Sequence, residues 1–194
     1  MPIHIRGAPS PDLHAIVARH LSNPLSAPQL SPAQRENAHA TDAYPVYFLG
    51  LDDLERADDT LSGTSPRVWR HLLVHQGNAI AEADVRTDGT QARVVAVHQG
   101  PRGPGTARAL AAAQASELVK DADFEFRMLE APGIRLAAVW LHSPRGDLLI
   151  PVEPDLSGLP RYRPIPLREA LPVLRQRVAE VRAEQERATG PSGA

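Results

Sequence analysis

The chain contains no cysteine among its 194 residues. This absence excludes disulfides, thiolate nucleophiles, cysteine-ligated iron–sulfur clusters and cysteine-ligated zinc. Aromatic residues are also few, at two Trp, three Tyr and three Phe, so we expect a core made mainly of Leu, Val, Ile and Ala. A folded unit of this length buries roughly 70% of the surface of its unfolded chain. No metal or disulfide is therefore needed to hold it together.

Long apolar runs and lysine are scarce as well. No apolar run approaches the roughly 20 residues of a membrane-spanning helix, and Met1–Arg6 lacks the apolar core of a signal peptide. Lys120 is the only lysine among 21 basic residues, and the net charge is −2. Arginines alternate with acidic residues instead of forming a basic patch. We expect a cytoplasmic protein with no membrane and no nucleic-acid partner.

The distribution of proline and apolar residues divides the chain into three parts. Residues 1–42 are predicted to form an arm with one short helix, which Ser10 and Pro11 begin. The rest of this arm is rich in Ser, Pro, Gln and Asn, a composition typical of flexible segments. Residues 43–166 are predicted to form the globular part, and residues 167–194 a final helix with a frayed tail.

Between Arg67 and Val152 the sequence predicts strands, then one Ala-rich helix, then strands again. Ala79–Arg86 alternates apolar and polar residues, as an antiparallel strand with one solvated face does, and an Asp-Gly hairpin signal follows. This order favours an α+β fold. We predict an antiparallel sheet of about six or seven strands, with one inserted helix at 106–121, a helix at each end, and the helices on one face.

A turn rich in Gly and Pro precedes the inserted helix. Gly100–Thr106 has the outline of a phosphate-binding loop between a strand and a helix. However, it lacks the lysine of that motif, and its two prolines remove backbone donors. We interpret it as a tight turn in which Gly105 or Thr106 caps the helix, and we predict no cofactor.

Histidines are the remaining candidates for a ligand or metal site. His98 and His142 each end a predicted strand. With Arg102 they would line a pocket between the sheet and the helix at 106–121, if those strand ends are neighbours. A metal would need a third ligand that the pattern does not supply, so no metal is predicted.

Paired carboxylates occur at several places, and Glu82 with Asp84 is a pair within a predicted strand. Catalysis by two carboxyl groups needs unlike environments that separate their pKa values. Both side chains fall on the predicted solvated face, which favours similar, hydrated groups. No catalytic residue is predicted.

The final helix carries a narrow apolar stripe with charged residues around it. The stripe consists of Leu167, Leu171, Leu174, Val178 and Val181, at three- and four-residue intervals. Two uses are open. The stripe docks on the chain's own sheet, or it pairs with another protein or with a second copy of the chain.

Because catalytic motifs are missing and both ends suit contacts, we expect a non-enzymatic accessory protein that binds another protein, or itself as a homodimer. The order of helices and strands loosely resembles that of small secretion chaperones, which bind unfolded segments of a partner. This is a likeness of topology alone. The alternative is a small-molecule-binding protein or an enzyme whose site contains His98, Arg102 and His142.

Overall fold

A continuous mixed sheet organises the computed structural model of the protein. The structure describes residues 3–7, 12–57, 61, 65–88, 91–120 and 122–189. The predicted helix start at Ser10 and Pro11, the hairpin turn at Gly89 and the tail beyond Thr189 lie outside these ranges.

The described residues form ten strands and six α-helices. The strands are β1 (Ile3–His4), β2 (His39–Ala40), β3 (Tyr44–Phe48), β4 (Val68–His75), β5 (Asn78–Asp88), β6 (Gln91–Gln99), β7 (Phe124–Ala131), β8 (Leu136–His142), β9 (Leu148–Pro151) and β10 (Ile165–Pro166). The helices are α1 (Leu13–Ser22), α2 (Pro32–Asn37), α3 (Leu51–Arg56), α4 (Arg102–Gln114), α5 (Glu117–Lys120) and α6 (Leu167–Thr189). The α+β class is confirmed, whereas the predicted strand number and the purely antiparallel sheet are wrong.

The strands are ordered β10-β9-β8-β7-β3-β4-β5-β6, with β1 beside β7 and β2 beside β4. Most neighbours are antiparallel, but β7 runs parallel to both β3 and β1. The parallel contact with β3 arises because the chain leaves the sheet edge at β6, passes through α4 and α5, and re-enters beside β3. Three strands of only two residues account for most of the excess over the prediction, since they are too short to show an alternating pattern.

The two faces of the sheet are both covered by helices. The face that we call face A packs against α4, through residues such as Val46, Met128 and Val139. The opposite face B packs against α6 through Leu129, Trp140 and Leu149, and against α1 through Leu73, Ala81 and Ala83. The prediction of helices on one face is wrong, because β8 and β9 are buried on both sides and each side must be covered.

The inserted helix begins earlier than the turn pattern predicts. Its first residue is Arg102, after the N-cap Pro101, and Thr106 is buried inside it. A Cβ on Gly103 would lie 3.4 Å from the backbone oxygen of Ala81, and one on Gly105 would lie 3.5 Å from the backbone nitrogen of Glu153. These glycines bring the helix close to the sheet, so the predicted cap at Gly105 or Thr106 is wrong.

The N-terminal segment lies against face B beside β4 and β5. The helix α1 contributes its buried residues Leu13, Val17 and Leu21 to one cluster with the sheet. Further along, Ala27 and Leu30 are buried in the same cluster. Ser31 and Gln34 then exchange hydrogen bonds that cap α2. Apolar contacts therefore attach this segment to the sheet on both sides of Asn23.

Candidate functional site

An ionic cluster lies on face A, where α4 crosses the centre of the sheet. Arg70 occupies its middle, and its side chain is 1% exposed. Its Nε and Nη2 donate to the two carboxylate oxygens of Asp84 at 2.5 and 2.9 Å. Its Nη1 donates to Oε1 of Glu130 at 2.5 Å and lies 3.3 Å from Oε2 of Glu82. One guanidinium therefore contacts three carboxylates.

The register of the sheet brings these side chains together. Arg70 pairs with Tyr44 of β3 on one side and with Asp84 of β5 on the other. Glu82 precedes Asp84 by two residues and shares its face, because side chains alternate along a strand. Glu130 reaches the cluster from β7, where it pairs with Phe48 of β3.

Hydroxyl groups and two rim residues complete the cluster. The Tyr44 and Thr106 hydroxyls donate to Oε1 of Glu82 at 3.2 and 3.0 Å. At the rim, Nε2 of His98 lies 3.1 Å from Oδ2 of Asp84, and Arg102 donates to Oε1 of Glu130 at 2.8 Å. The side chains of His98 and Arg102 are 40% and 27% exposed, so the cluster meets solvent at these two residues.

Burial and ion pairing shift the pKa values of Glu82 and Asp84 in opposite directions. Burial raises the pKa of Glu82, and the charge of Arg70 opposes this only in part. Burial also acts to raise the pKa of Asp84, but hydrogen bonds from His98 and Arg70 outweigh it and lower that pKa to about 2. The expectation of two similar, hydrated carboxylates is therefore wrong, since both are buried and their environments differ.

The centre of the cluster is filled by the chain's own arginine. Around it, the carboxyl groups of Glu82, Asp84 and Glu130 face the guanidiniums of Arg70 and Arg102. Oε2 of Glu82 lies at ion-pair distance from Arg70 but without hydrogen-bond geometry. No group of three or more His, Asp or Glu in the described ranges is placed to hold a metal ion. Through Thr106 and Arg102, the arrangement ties α4 directly to two strands of the sheet, β5 and β7.

Two surface cavities lie away from this cluster. One of about 510 Å³ lies between α5, the turn that joins β8 to β9, and the start of α6. Another of about 320 Å³ lies between α1 and α2. Neither is lined by a residue of the ionic cluster.

The three residues predicted to share a ligand site do not all come together. His98 and Arg102 both reach the ionic cluster on face A, whereas His142 lies on face B, with its ring centre 5.8 Å from that of Trp140. Nδ1 of His142 lies 2.8 Å from Oδ1 of Asp147, whose Oδ2 accepts a hydrogen bond from Trp140 at 2.9 Å. The buried carboxylate fixes the orientation of this imidazole.

The apolar stripe of the final helix lies against the chain's own sheet. Its five residues, Leu167, Leu171, Leu174, Val178 and Val181, are all buried in the face B cluster. The stripe therefore docks on the chain's own sheet. A protein that binds α6 would contact the charged outer surface of the helix. In the described part of the chain, no helix combines the length and the apolar character needed to cross a bilayer.

The sheet ends in an open edge strand that the sequence pattern does not identify as such. β6 is nine residues long and lies at one end of the strand order, whereas β10 at the other end has two residues. No strand of the described residues pairs with its outer side. Gln29 donates to the backbone oxygen of Val97 at 3.0 Å. Val95, which has no partner in β5, is 39% exposed.

No family model matches the chain, and no curated protein and no solved structure matches it with significant similarity.

Proposed function

We propose that this protein binds other proteins by taking up an extended segment of a partner as an added strand beside β6. The observation that carries this proposal is the open edge of β6. In strand addition, the backbone groups of an edge strand bind the partner's backbone, and the flanking side chains select its sequence.

The two ends of the sheet differ in a way that supports this role. Proteins usually protect a sheet edge with prolines, lysines, bulges or very short strands. The β10 end is short and contains Pro166. In contrast, β6 contains neither proline nor lysine. Its protection within the described residues consists of one irregularity of register at Val95 and the single contact from Gln29.

The ionic cluster supports the edge from inside the sheet. Arg70 and Asp84 join β4 to β5, and His98 of β6 reaches Asp84 from the next strand. Arg102 and Thr106 tie α4 to the same network. A buried ion pair is a weak source of stability but restricts the geometry of its neighbours. A rigid edge lowers the ordering cost of binding, so the cluster acts as a positioning device in this proposal.

The test compares two substitutions of one residue. Proline is tolerated on edge strands and at bulges, but it fixes φ and donates no backbone hydrogen bond, so Val95→Pro should disturb the backbone edge on which strand addition depends. Val95→Ala removes the side chain and keeps the donor. A displayed library of random nonapeptides should yield binders for the natural chain that retain affinity for Val95→Ala and lose at least about tenfold with Val95→Pro.

Circular dichroism shows whether both variants are folded. In the natural chain, a selected peptide should also slow hydrogen exchange of the backbone amides in β6. Equal binding to Val95→Pro and Val95→Ala, or protection confined to residues away from β6, would contradict the proposal.

A further inference from the structure

We infer that the segment received by β6 alternates acidic and apolar side chains, an inference that rests on the proposed strand addition. It follows from the different chemistry of the two faces along the open edge.

On face A, two arginines lie next to each other near the end of the β5–β6 hairpin. Arg86 and Arg93 are cross-strand partners, and both are exposed. Arg86 follows Asp84 by two residues, so both arginines point to face A. Within the described part of the chain, neither guanidinium has an ion-pair partner. Asp88 follows on the same face and leaves a net positive charge there.

On face B, the same edge is apolar. Ala92 and Val94 are half-buried and pack against the cluster formed by α1 and the sheet. Val94 pairs with the buried Val85 of β5. A side chain of an added strand on this face would therefore extend an apolar surface, and burial there is favourable.

An added strand presents its side chains to the two faces in turn. It would place one set beside Arg93, where a carboxylate is attracted, and the other set beside Val94, where an apolar side chain is preferred. Opposite charges on neighbouring strands stabilise their pairing, and like charges oppose it. A second copy of this chain would bring two further arginines to face A, so it fits the edge less well than an acidic partner.

The probes are three blocked nonapeptides that alternate Glu with Val, Lys with Val, and Glu with Ser. Affinity is measured by fluorescence anisotropy at low and high salt. We expect the Glu–Val peptide to bind about fivefold or more tightly than the Lys–Val peptide, and to bind more tightly than the Glu–Ser peptide. High salt should reduce the difference in affinity between the Glu–Val and the Lys–Val peptides.

Arg93→Glu should reverse the preference between the Glu–Val and Lys–Val peptides. Arg163→Glu, an exposed substitution with the same change of net charge away from β6, should leave it unchanged. Equal affinity for the two peptides, with both lost in Val95→Pro, would overturn the acidic preference and leave strand addition in place. If no peptide binds, including the library peptides, both the acidic preference and the proposed strand addition would be overturned.

Light scattering tests whether a second copy of the chain, and not an acidic segment of another protein, occupies the edge of β6. A dimer of the natural chain that is lost in Val95→Pro would identify a second copy as the occupant and would overturn this inference.

Discussion

Arg70 shows how a single residue sets the geometry of the ionic cluster. It is almost fully buried, and its planar guanidinium offers donors in three directions, which the point charge of a lysine cannot match. Asp84 takes two of these donors and Glu130 a third. Loss of one member of such a group leaves buried charge without a partner, which typically costs about 3–5 kcal/mol. Asp84 gives the clearest measurable consequence of this arrangement.

The Asp84 carboxyl should make the stability of the protein depend on pH in strongly acidic solution. Its pKa falls from 3.8 to about 2 on folding, so it contributes about 2 kcal/mol to the free energy of unfolding. This contribution is fully present above the unfolded pKa and is lost as the pH falls through about 2. In Asp84→Asn the contribution is absent, so urea unfolding should show the gap in unfolding free energy to the natural chain narrowing by about 2 kcal/mol between about pH 4.5 and about pH 2.

Asp88→Asn, near the exposed end of the same strand, is the matched control and should follow the natural chain over this range. Glu82 acts with the opposite sign, because its raised pKa removes stability as the pH rises past the ordinary value of 4.5. The comparison is therefore made below that pH. A constant gap between Asp84→Asn and the natural chain would show that Asp84 has no depressed pKa.

The burial of Glu82 and Asp84 could not be predicted from their own strand. Alternation of Ala with Glu and Asp is what a half-solvated strand shows. Here the polar side is buried because Arg70, 14 residues from Asp84, and Glu130, 60 residues from Arg70, supply partners. Compensation of charge by residues so distant in sequence leaves no local pattern. In contrast, His98 and Arg102 both reach the ionic cluster because the turn between them keeps them close, a proximity that the sequence does indicate.

At the scale of elements, α6 is the part in which sequence and structure agree best. A helix over about 167–188 was predicted, and the structure has one over Leu167–Thr189. The apolar stripe has the helical period, and that period is a local property of the chain. The partner of the stripe is not local, so the helical period alone leaves both docking on the sheet and pairing with another protein open.

The docking of α6 predicts different effects for two adjacent residues. Leu174 is fully buried, whereas Val173 is 37% exposed. Leu174→Ala should lower the free energy of unfolding by about 2–5 kcal/mol, because it leaves a cavity between the helix and the sheet. Val173→Ala should change it by no more than about 0.5 kcal/mol. Chemical denaturation followed by circular dichroism measures both, and equal small effects would mean that the helix is not docked in solution.

The whole-molecule arrangement depends on strand order, which the sequence does not reveal. The hairpins β4–β5 and β7–β8 follow from short connections, as predicted. The parallel contact of β7 with β3 follows from where α4 returns the chain, and it makes β6 an edge. The functional proposal therefore depends on a feature of the complete sheet and not on any motif.

The same sheet joins two apolar regions of face B, and each contains one tryptophan. Trp69 belongs to the cluster under α1, and Trp140 to the cluster under α6. Since β3 and β7 connect the strands that carry them, we expect the two regions to unfold together in one cooperative transition, as small domains usually do.

Two variants that keep one tryptophan each can test this cooperativity. Trp69→Phe leaves Trp140 as the fluorescent residue, and Trp140→Phe leaves Trp69. Trp140→Phe also loses the hydrogen bond to Asp147, which can lower its stability. The comparison is therefore made between two signals of the same variant. In each, the urea midpoint from fluorescence should equal the midpoint from far-ultraviolet circular dichroism. A lower fluorescence midpoint in Trp140→Phe alone would show that the region under α1 unfolds first. That outcome would mean that the N-terminal segment, which packs on the sheet next to β6, can detach while the rest of the sheet stays folded.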